Sequence, residues 1–125
     1  MELVASASLS TNIRGCYVTT NKTFRELGFA DGDVAAVFTA YQDSENAASN
    51  FYHKGWTYYA IGSLLDRDIS SGGSTGKLFI SITNNDPSTA VPCIYVDGLH
   101  GDILDLRMLI YKMKVLENID LVKHQ

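Results

Sequence analysis

The feature that most constrains the fold is the number of large apolar side chains in residues 102–116. If this stretch is a helix, the helix has two apolar faces. At about 100° per residue, one stripe is broad and a second lies on the far side. The broad stripe contains Ile103, Leu106, Leu109, Ile110, Met113 and Leu116, and the second contains Leu104, Met108, Tyr111 and Val115. Exposing the second stripe would forfeit roughly 6 to 12 kcal/mol, comparable with the whole net stability of a domain, about 5 to 15 kcal/mol. We therefore expect a long C-terminal helix that packs on a sheet with one face and on another subunit with the other.

Arg107 lies between the two stripes of this predicted helix. A buried, unpaired guanidinium costs several kcal/mol, so it needs an acceptor. The acceptor is either a carboxylate of a neighbouring subunit or the phosphates of a ligand, and the sequence leaves both open. Arginine suits phosphate because its planar group donates two parallel hydrogen bonds.

Composition limits the classes of function. The chain has 125 residues, enough for one domain, and a formal net charge of −4, which disfavours binding to DNA, RNA or anionic lipid. No apolar run approaches the ~20 residues of a membrane helix. The N-terminus lacks the pattern of a signal peptide. Cys16 and Cys93 match no metal or redox motif and are expected to be buried free thiols, which together with these points indicates a cytoplasmic protein.

The remaining pattern predicts a single α+β domain over residues 1–125. A hairpin is expected from residues 3–7 and 14–19. Thr23 and Glu26 form a capping box for a short N-terminal helix that Gly28 ends, and a middle helix is expected over residues 44–54. Further strands are expected at 34–41, 56–65, 78–82 and 93–96, with 78–82 central and 56–65 also compatible with a helix. The fold predicted is a small antiparallel sheet with a short N-terminal helix, a middle helix and a long C-terminal helix at a subunit interface.

No arrangement of residues indicates catalysis. The Gly-Ser stretch before Lys77 lacks the first glycine of a phosphate loop, and a strand, rather than a helix, is predicted to follow it. The histidines His53, His100 and His124 have no partners at zinc-ligand spacing. Acidic pairs in the turns are typical of backbone capping. We expect no enzyme activity, no metal and no cofactor.

A few side chains point to a small anionic ligand. Lys22 and Arg25 on the short helix and Lys54 at the end of the middle helix can gather around phosphate, although scattered solvated charges are the simpler interpretation. Phe79 lies on an apolar strand, where core packing is the ordinary role. Asn84 and Asn85 can recognise an adenine edge, although turn formation also explains them.

Three stretches together resemble the phage Thoeris anti-defence proteins: residues 21–28 (NKTFRELG), residues 77–80 with Asn84 and Asn85, and residues 101–107 (GDILDLR). These proteins are sponges without enzyme activity that sequester the cyclic ADP-ribose isomers made by bacterial TIR-domain defence proteins. Some also hold cyclic trinucleotides at a separate site, and the family assembles as dimers and hexamers. The resemblance implies a cytoplasmic homo-oligomer in an infected bacterial host.

The resemblance also implies residue roles. Phe79 would stack on the adenine at a dimer interface, and Arg107 would contact the phosphates there, with Asn84 or Asn85 nearby. A second, basic site for cyclic trinucleotides would consist of Lys22, Arg25 and Lys54 around a three-fold axis. The region around Ala90 does not align with the pattern, which leaves the ligand isomer undetermined.

The alternative is a protein-protein interaction module without a small ligand. Residues 23–28 followed by an Asp-Gly-Asp turn and a strand also resemble ubiquitin-like β-grasp proteins. That fold has no obvious place for a long final helix with two apolar faces.

Overall fold

A computed structural model describes residues 1–10, 15–48, 50–51, 53–62, 77–82, 86–97 and 102–114. In this part the chain forms seven strands and one 3-10 turn, Ser44–Asn46. The strands are β1 (Glu2–Leu9), β2 (Gly15–Val18), β3 (Val34–Asp43), β4 (His53–Ala60), β5 (Lys77–Ile82), β6 (Pro92–Asp97) and β7 (Ile103–Met113).

The strands form two antiparallel sheets. The four-stranded sheet has the order β1-β7-β3-β4, and the three-stranded sheet has the order β2-β6-β5. The main core lies between them, because one cluster of buried side chains contains Val37 and Ile110 of the first sheet with Ile94 and Val96 of the second. The described part is therefore a β-sandwich.

The predicted α+β class is wrong, since the described residues contain no α-helix and are nearly all sheet. Residues 103–113 form β7, an inner strand between β1 and β3. An inner strand can be apolar on both faces, and such a run has no clear alternation to separate it from a helix. Met108, assigned above to a subunit-facing stripe, is 1% exposed in the core of one chain.

The two shorter predicted helices are also wrong. Residues 24–28 form a turn, in which the Thr23–Glu26 capping box is present: Glu26 N–H donates to Thr23 Oγ1 (3.2 Å) and Thr23 N–H to Glu26 Oε1 (3.0 Å). The backbone N–H of Thr23 holds the pKa of Glu26 below its usual range, assisted by the Thr23 hydroxyl and Lys22. The middle helix predicted over residues 44–54 is limited to the 3-10 turn at Ser44–Asn46; residues 47, 48, 50 and 51 form turn or irregular structure, and β4 begins at His53. Tertiary pairing overrides these weak local signals.

The strand predictions are confirmed for β3, β5 and β6 in position, and for β4 in part, since it spans His53–Ala60. The predicted hairpin is wrong because β1 pairs with β7 and β2 pairs with β6. β5 is at an edge of its sheet rather than central. The Asp31–Gly32 turn is present, with Gly32 at φ 96°, while the Gly-Ser loop at 70–76 lies outside the described residues.

Cys93 is disulfide-bonded, which corrects the prediction of free thiols. The chain has one other cysteine, Cys16, on the neighbouring strand β2. The register sets Cys16 opposite Tyr95 and Val18 opposite Cys93, so the two cysteines lie diagonally across a strand pair.

Candidate functional site

The four-stranded sheet has a second apolar face, directed away from the three-stranded sheet, which we call the outer face. Successive side chains of a strand point to opposite faces. In β3, Ala35 and Val37 therefore point into the sandwich, while Val34 and Ala36 point to the outer face, where they form a separate hydrophobic cluster with Tyr58, Met113, Trp56 and Tyr111.

Four aromatic rings meet on the outer face, and Trp56 lies at their centre. Its ring centroid is 5.2 Å from that of Phe38, 5.6 Å from that of Tyr111 and 6.1 Å from that of Tyr58. The Tyr58 ring is stacked on Trp56 at an interplanar angle of 9°. Tyr58 is buried, which raises the pKa of its phenol, whereas Phe38, Trp56 and Tyr111 are half-buried. We call these four residues the aromatic cluster.

Two cations flank one end of the aromatic cluster. In the sheet register, Ala40 of β3 is opposite Lys54 of β4 on one side and opposite Arg107 of β7 on the other. Both cationic residues are exposed. Neighbouring strands are about 4.8 Å apart, so the two backbones are about 10 Å apart with a methyl group between them. We call this arrangement the cationic row.

Phe51 and Asp105 hold the Arg107 side chain in place. The guanidinium carbon is 3.9 Å from the centroid of the Phe51 ring, a cation–π contact. An Asp105 carboxylate oxygen is 3.6 Å from Nη2, longer than a hydrogen bond. Phe51 has φ 45°, the left-handed region that non-glycine residues rarely adopt. The other carboxylate oxygen of Asp105 is buried with no hydrogen-bond partner.

The predicted site residues are thus placed on different parts of the fold. Arg107 is on a strand, and its side chain is 58% exposed rather than enclosed between apolar stripes. Phe79 is on β5 of the other sheet, opposite Tyr95 of β6. Asn84 and Asn85 lie outside the described residues. The register does not make Phe79 a neighbour of Arg107.

The three residues of the predicted second site are divided in one chain. Lys22 and Arg25 are exposed on the turn beside Gly28, where Arg25 Nε donates to Ser88 Oγ (3.1 Å). Lys112 Nζ donates to the Gly28 carbonyl oxygen (3.3 Å), which places this turn near the C-terminal end of β7. Lys54 lies instead in the cationic row. Its register position on β3, Ala40, is five residues from Ala35, the position opposite Lys112, a separation of roughly 17 Å along the sheet.

Neither the aromatic cluster nor the role of Phe51 is among the features predicted from the sequence. The signal that could have predicted the cluster is a spacing of two residues. In β4 this spacing relates Lys54, Trp56 and Tyr58, and in β7 it relates Arg107, Leu109 and Tyr111. A period of two places each set on one face of a sheet. With the helical period of 3.6 residues, the same side chains point in different directions. The helical interpretation of residues 102–116 therefore does not predict the site.

Comparison with protein families, with curated proteins and with solved structures finds no match to this chain. In the described ranges, three or more potential metal ligands nowhere gather into one group. The described residues also include no helix of the length and apolar character needed to cross a membrane.

Proposed function

We propose that this chain is a binding protein for a small ligand that carries phosphate and a planar ring, the class to which nucleotides belong, and that it holds the ligand without cleaving it. The observation that carries the proposal is the cationic row next to the aromatic cluster on one face of the sheet.

Arg107 is suited to bind phosphate. Its guanidinium is exposed, and the contact to Asp105 is too long to be a hydrogen bond, so N–H donors are available to a ligand. The Phe51 ring lies against one face of the planar guanidinium. A side chain held before binding loses less conformational entropy when the ligand arrives. Lys54 supplies a second charge from across Ala40.

The net charge of the chain favours a small ligand over a polymer. A formal charge of −4 repels a nucleic-acid backbone, while two local cations match one or two phosphates. Within this class, the resemblance to Thoeris anti-defence proteins makes cyclic ADP-ribose the first ligand to test. In that case the protein is a phage sponge for TIR-derived signals, and Arg107 keeps the role that the resemblance implies.

Isothermal titration calorimetry with AMP and cyclic ADP-ribose tests the proposal. Replacing Arg107 or Lys54 by alanine should each weaken binding roughly tenfold to a hundredfold, because a hydrogen bond to a charged group contributes about 1.5 to 3 kcal/mol. Lys114→Ala is the matched control, since Lys114 is exposed but lies beyond the end of β7. Absence of heat with both nucleotides, or an equal loss in the control, contradicts the proposal.

Mass spectrometry of the ligand after heat denaturation tests the absence of cleavage. We expect the mass of the added nucleotide to be unchanged after prolonged incubation with the protein. Accumulation of a hydrolysis product in proportion to protein concentration would place the chain among enzymes.

The β-grasp alternative has little support. The resemblance to β-grasp proteins requires a helix before the Asp-Gly-Asp turn, whereas residues 24–28 form a single turn there. No observation on the described residues favours a second function over ligand binding.

A further inference from the structure

We propose that the ring of the ligand stacks on Trp56. This inference rests on the proposed function for the class of ligand, and it adds the residue that recognises the ring. Phe79, to which the resemblance gives this role, belongs to the other sheet.

The position of Trp56 relative to the cationic row suits a nucleotide. Lys54 and Trp56 are two residues apart in β4 and share the outer face, so their backbone positions are about 7 Å apart. The same two-residue spacing separates Phe38 from Ala40 on β3 and Leu109 from Arg107 on β7. A nucleotide separates its base from its phosphate by one ribose, a distance of this order. The phosphate can therefore reach the cationic row while the base covers Trp56.

The surroundings of Trp56 fix its ring. Three aromatic rings lie within 6.1 Å of it, so the indole is supported on several sides and remains half-buried. A rigid aromatic side chain offers contact area at low entropic cost. Every base has a π face, so stacking recognises the base without hydrogen bonds to its edge.

Charge identifies the occupant of this face. The charged side chains of its described part lie at one end, where the cations Lys54 and Arg107 are accompanied by one carboxylate, that of Asp105, 3.6 Å from Arg107. Gln42 is opposite Asp105, and the rest of the face is apolar or carries hydroxyl groups such as those of Ser6 and Ser8. A second copy of this chain would bring the same two cations and single carboxylate to the interface, and so the same excess of positive charge. A nucleotide instead brings a phosphate, which matches that excess. This complementarity favours a nucleotide over self-association through the face.

The single tryptophan of the chain makes the test direct, because all tryptophan emission comes from Trp56. AMP and cyclic ADP-ribose are titrated into the wild-type protein while this emission is recorded, with ribose 5-phosphate as the probe that has phosphate but no base. We expect the two nucleotides to quench Trp56 with the same affinity that calorimetry gives, and ribose 5-phosphate to leave the emission nearly unchanged.

Variants separate stacking from fold. Trp56→Leu should weaken AMP binding roughly fivefold to a hundredfold and leave the weak binding of ribose 5-phosphate unaltered. Trp56→Phe, which keeps a ring, should bind AMP within a few fold of wild type. Phe79→Leu is the control for the predicted alternative and should not change AMP binding.

The outcomes distinguish this inference from the proposed function. Nucleotide binding by calorimetry without any change in Trp56 emission, or with loss only in Phe79→Leu, overturns the inference and leaves the proposed function standing. Absence of nucleotide binding overturns both. A change in Trp56 emission with protein concentration alone, in the absence of nucleotide, overturns the inference in favour of a dimer through the outer face.

Discussion

Phe51 shows how a single residue couples backbone strain to the chemistry of the site. A left-handed conformation costs a non-glycine residue about 1 to 2 kcal/mol, and such residues cluster at functional sites. Here the strained backbone places the ring on the Arg107 guanidinium. The sequence could not predict this, because no local pattern marks a phenylalanine for positive φ and residues 44–54 were assigned to a helix.

Two glycines with positive φ differ in what surrounds them and offer a matched test at the residue scale. Gly28 (φ 95°) has open space where a Cβ would lie, whereas a Cβ on Gly62 (φ 81°) would overlap the Asp31 carboxylate. Gly28→Ala should cost about 1 to 2 kcal/mol of unfolding free energy from the backbone alone. Gly62→Ala should cost up to roughly 1 kcal/mol more, because Asp31 must rotate away.

Urea unfolding of the two variants gives this comparison. Combining Gly62→Ala with Asp31→Ala should remove the excess over Gly28→Ala, because the overlapping carboxylate is then absent. Equal costs for the two single variants would show that Asp31 does not contact Gly62 in solution.

At the scale of elements, β7 explains most of the difference between the predicted and the observed fold. Leu106, Met108 and Ile110 face the core, while Leu109 and Met113 face outward. Because both faces are apolar, hydrophobicity alone fits either period. The strand predicted at residues 34–41 is confirmed as β3. This stretch is rich in valine and alanine, and an Asp-Gly turn marks where it begins. No such turn residues distinguish a strand from a helix at β7.

The position of Met108 makes the two interpretations of residues 102–116 testable. In a helix with a subunit-facing stripe, a charge at 108 dissociates an oligomer and leaves the monomer folded. In β7, Met108 is 1% exposed in the core, so Met108→Asp should cost several kcal/mol, a large part of the stability of a small domain. Thermal unfolding followed by circular dichroism should show a strongly lowered Tm or no folded state.

Arg107→Ala is the control for this prediction, since its side chain is exposed on the adjacent position of the same strand. It should change the unfolding free energy by no more than about 1 kcal/mol. A stably folded Met108→Asp protein with a lower mass by light scattering would favour the helical interpretation.

At the scale of the whole molecule, the order of strands decided which predicted site residues meet. The sequence pattern indicates most of the strands but not the partner of each one, and the hairpin predicted from residues 3–7 and 14–19 does not form. Instead, β7 lies between β1 and β3. This places Arg107 one strand away from Ala40 and two from Lys54, and assigns Phe79 to the other sheet. Non-local pairing of this kind has no signature within a single stretch of residues.

The disulfide of Cys93 is a further property of the whole molecule and gives the last prediction. A bond to Cys16 spans 93 − 16 = 77 positions of the chain. Closing a loop of this length in the unfolded state stabilises the native state by about 4 to 5 kcal/mol in the chain-entropy model. Reduction should therefore lower the Tm markedly, and a Cys16→Ala, Cys93→Ala variant should melt near the reduced protein and not respond to reductant.

The state of these cysteines also tests where the protein acts. A disulfide persists in an oxidising compartment and is reduced in the cytoplasm, the compartment predicted for this chain from its sequence. Alkylation of freshly lysed cells under denaturing, non-reducing conditions should leave both cysteines unmodified if the bond exists there. Modification of both residues, with a Tm that reductant does not change, would show that β2 and β6 are held together by their hydrogen bonds and packing alone.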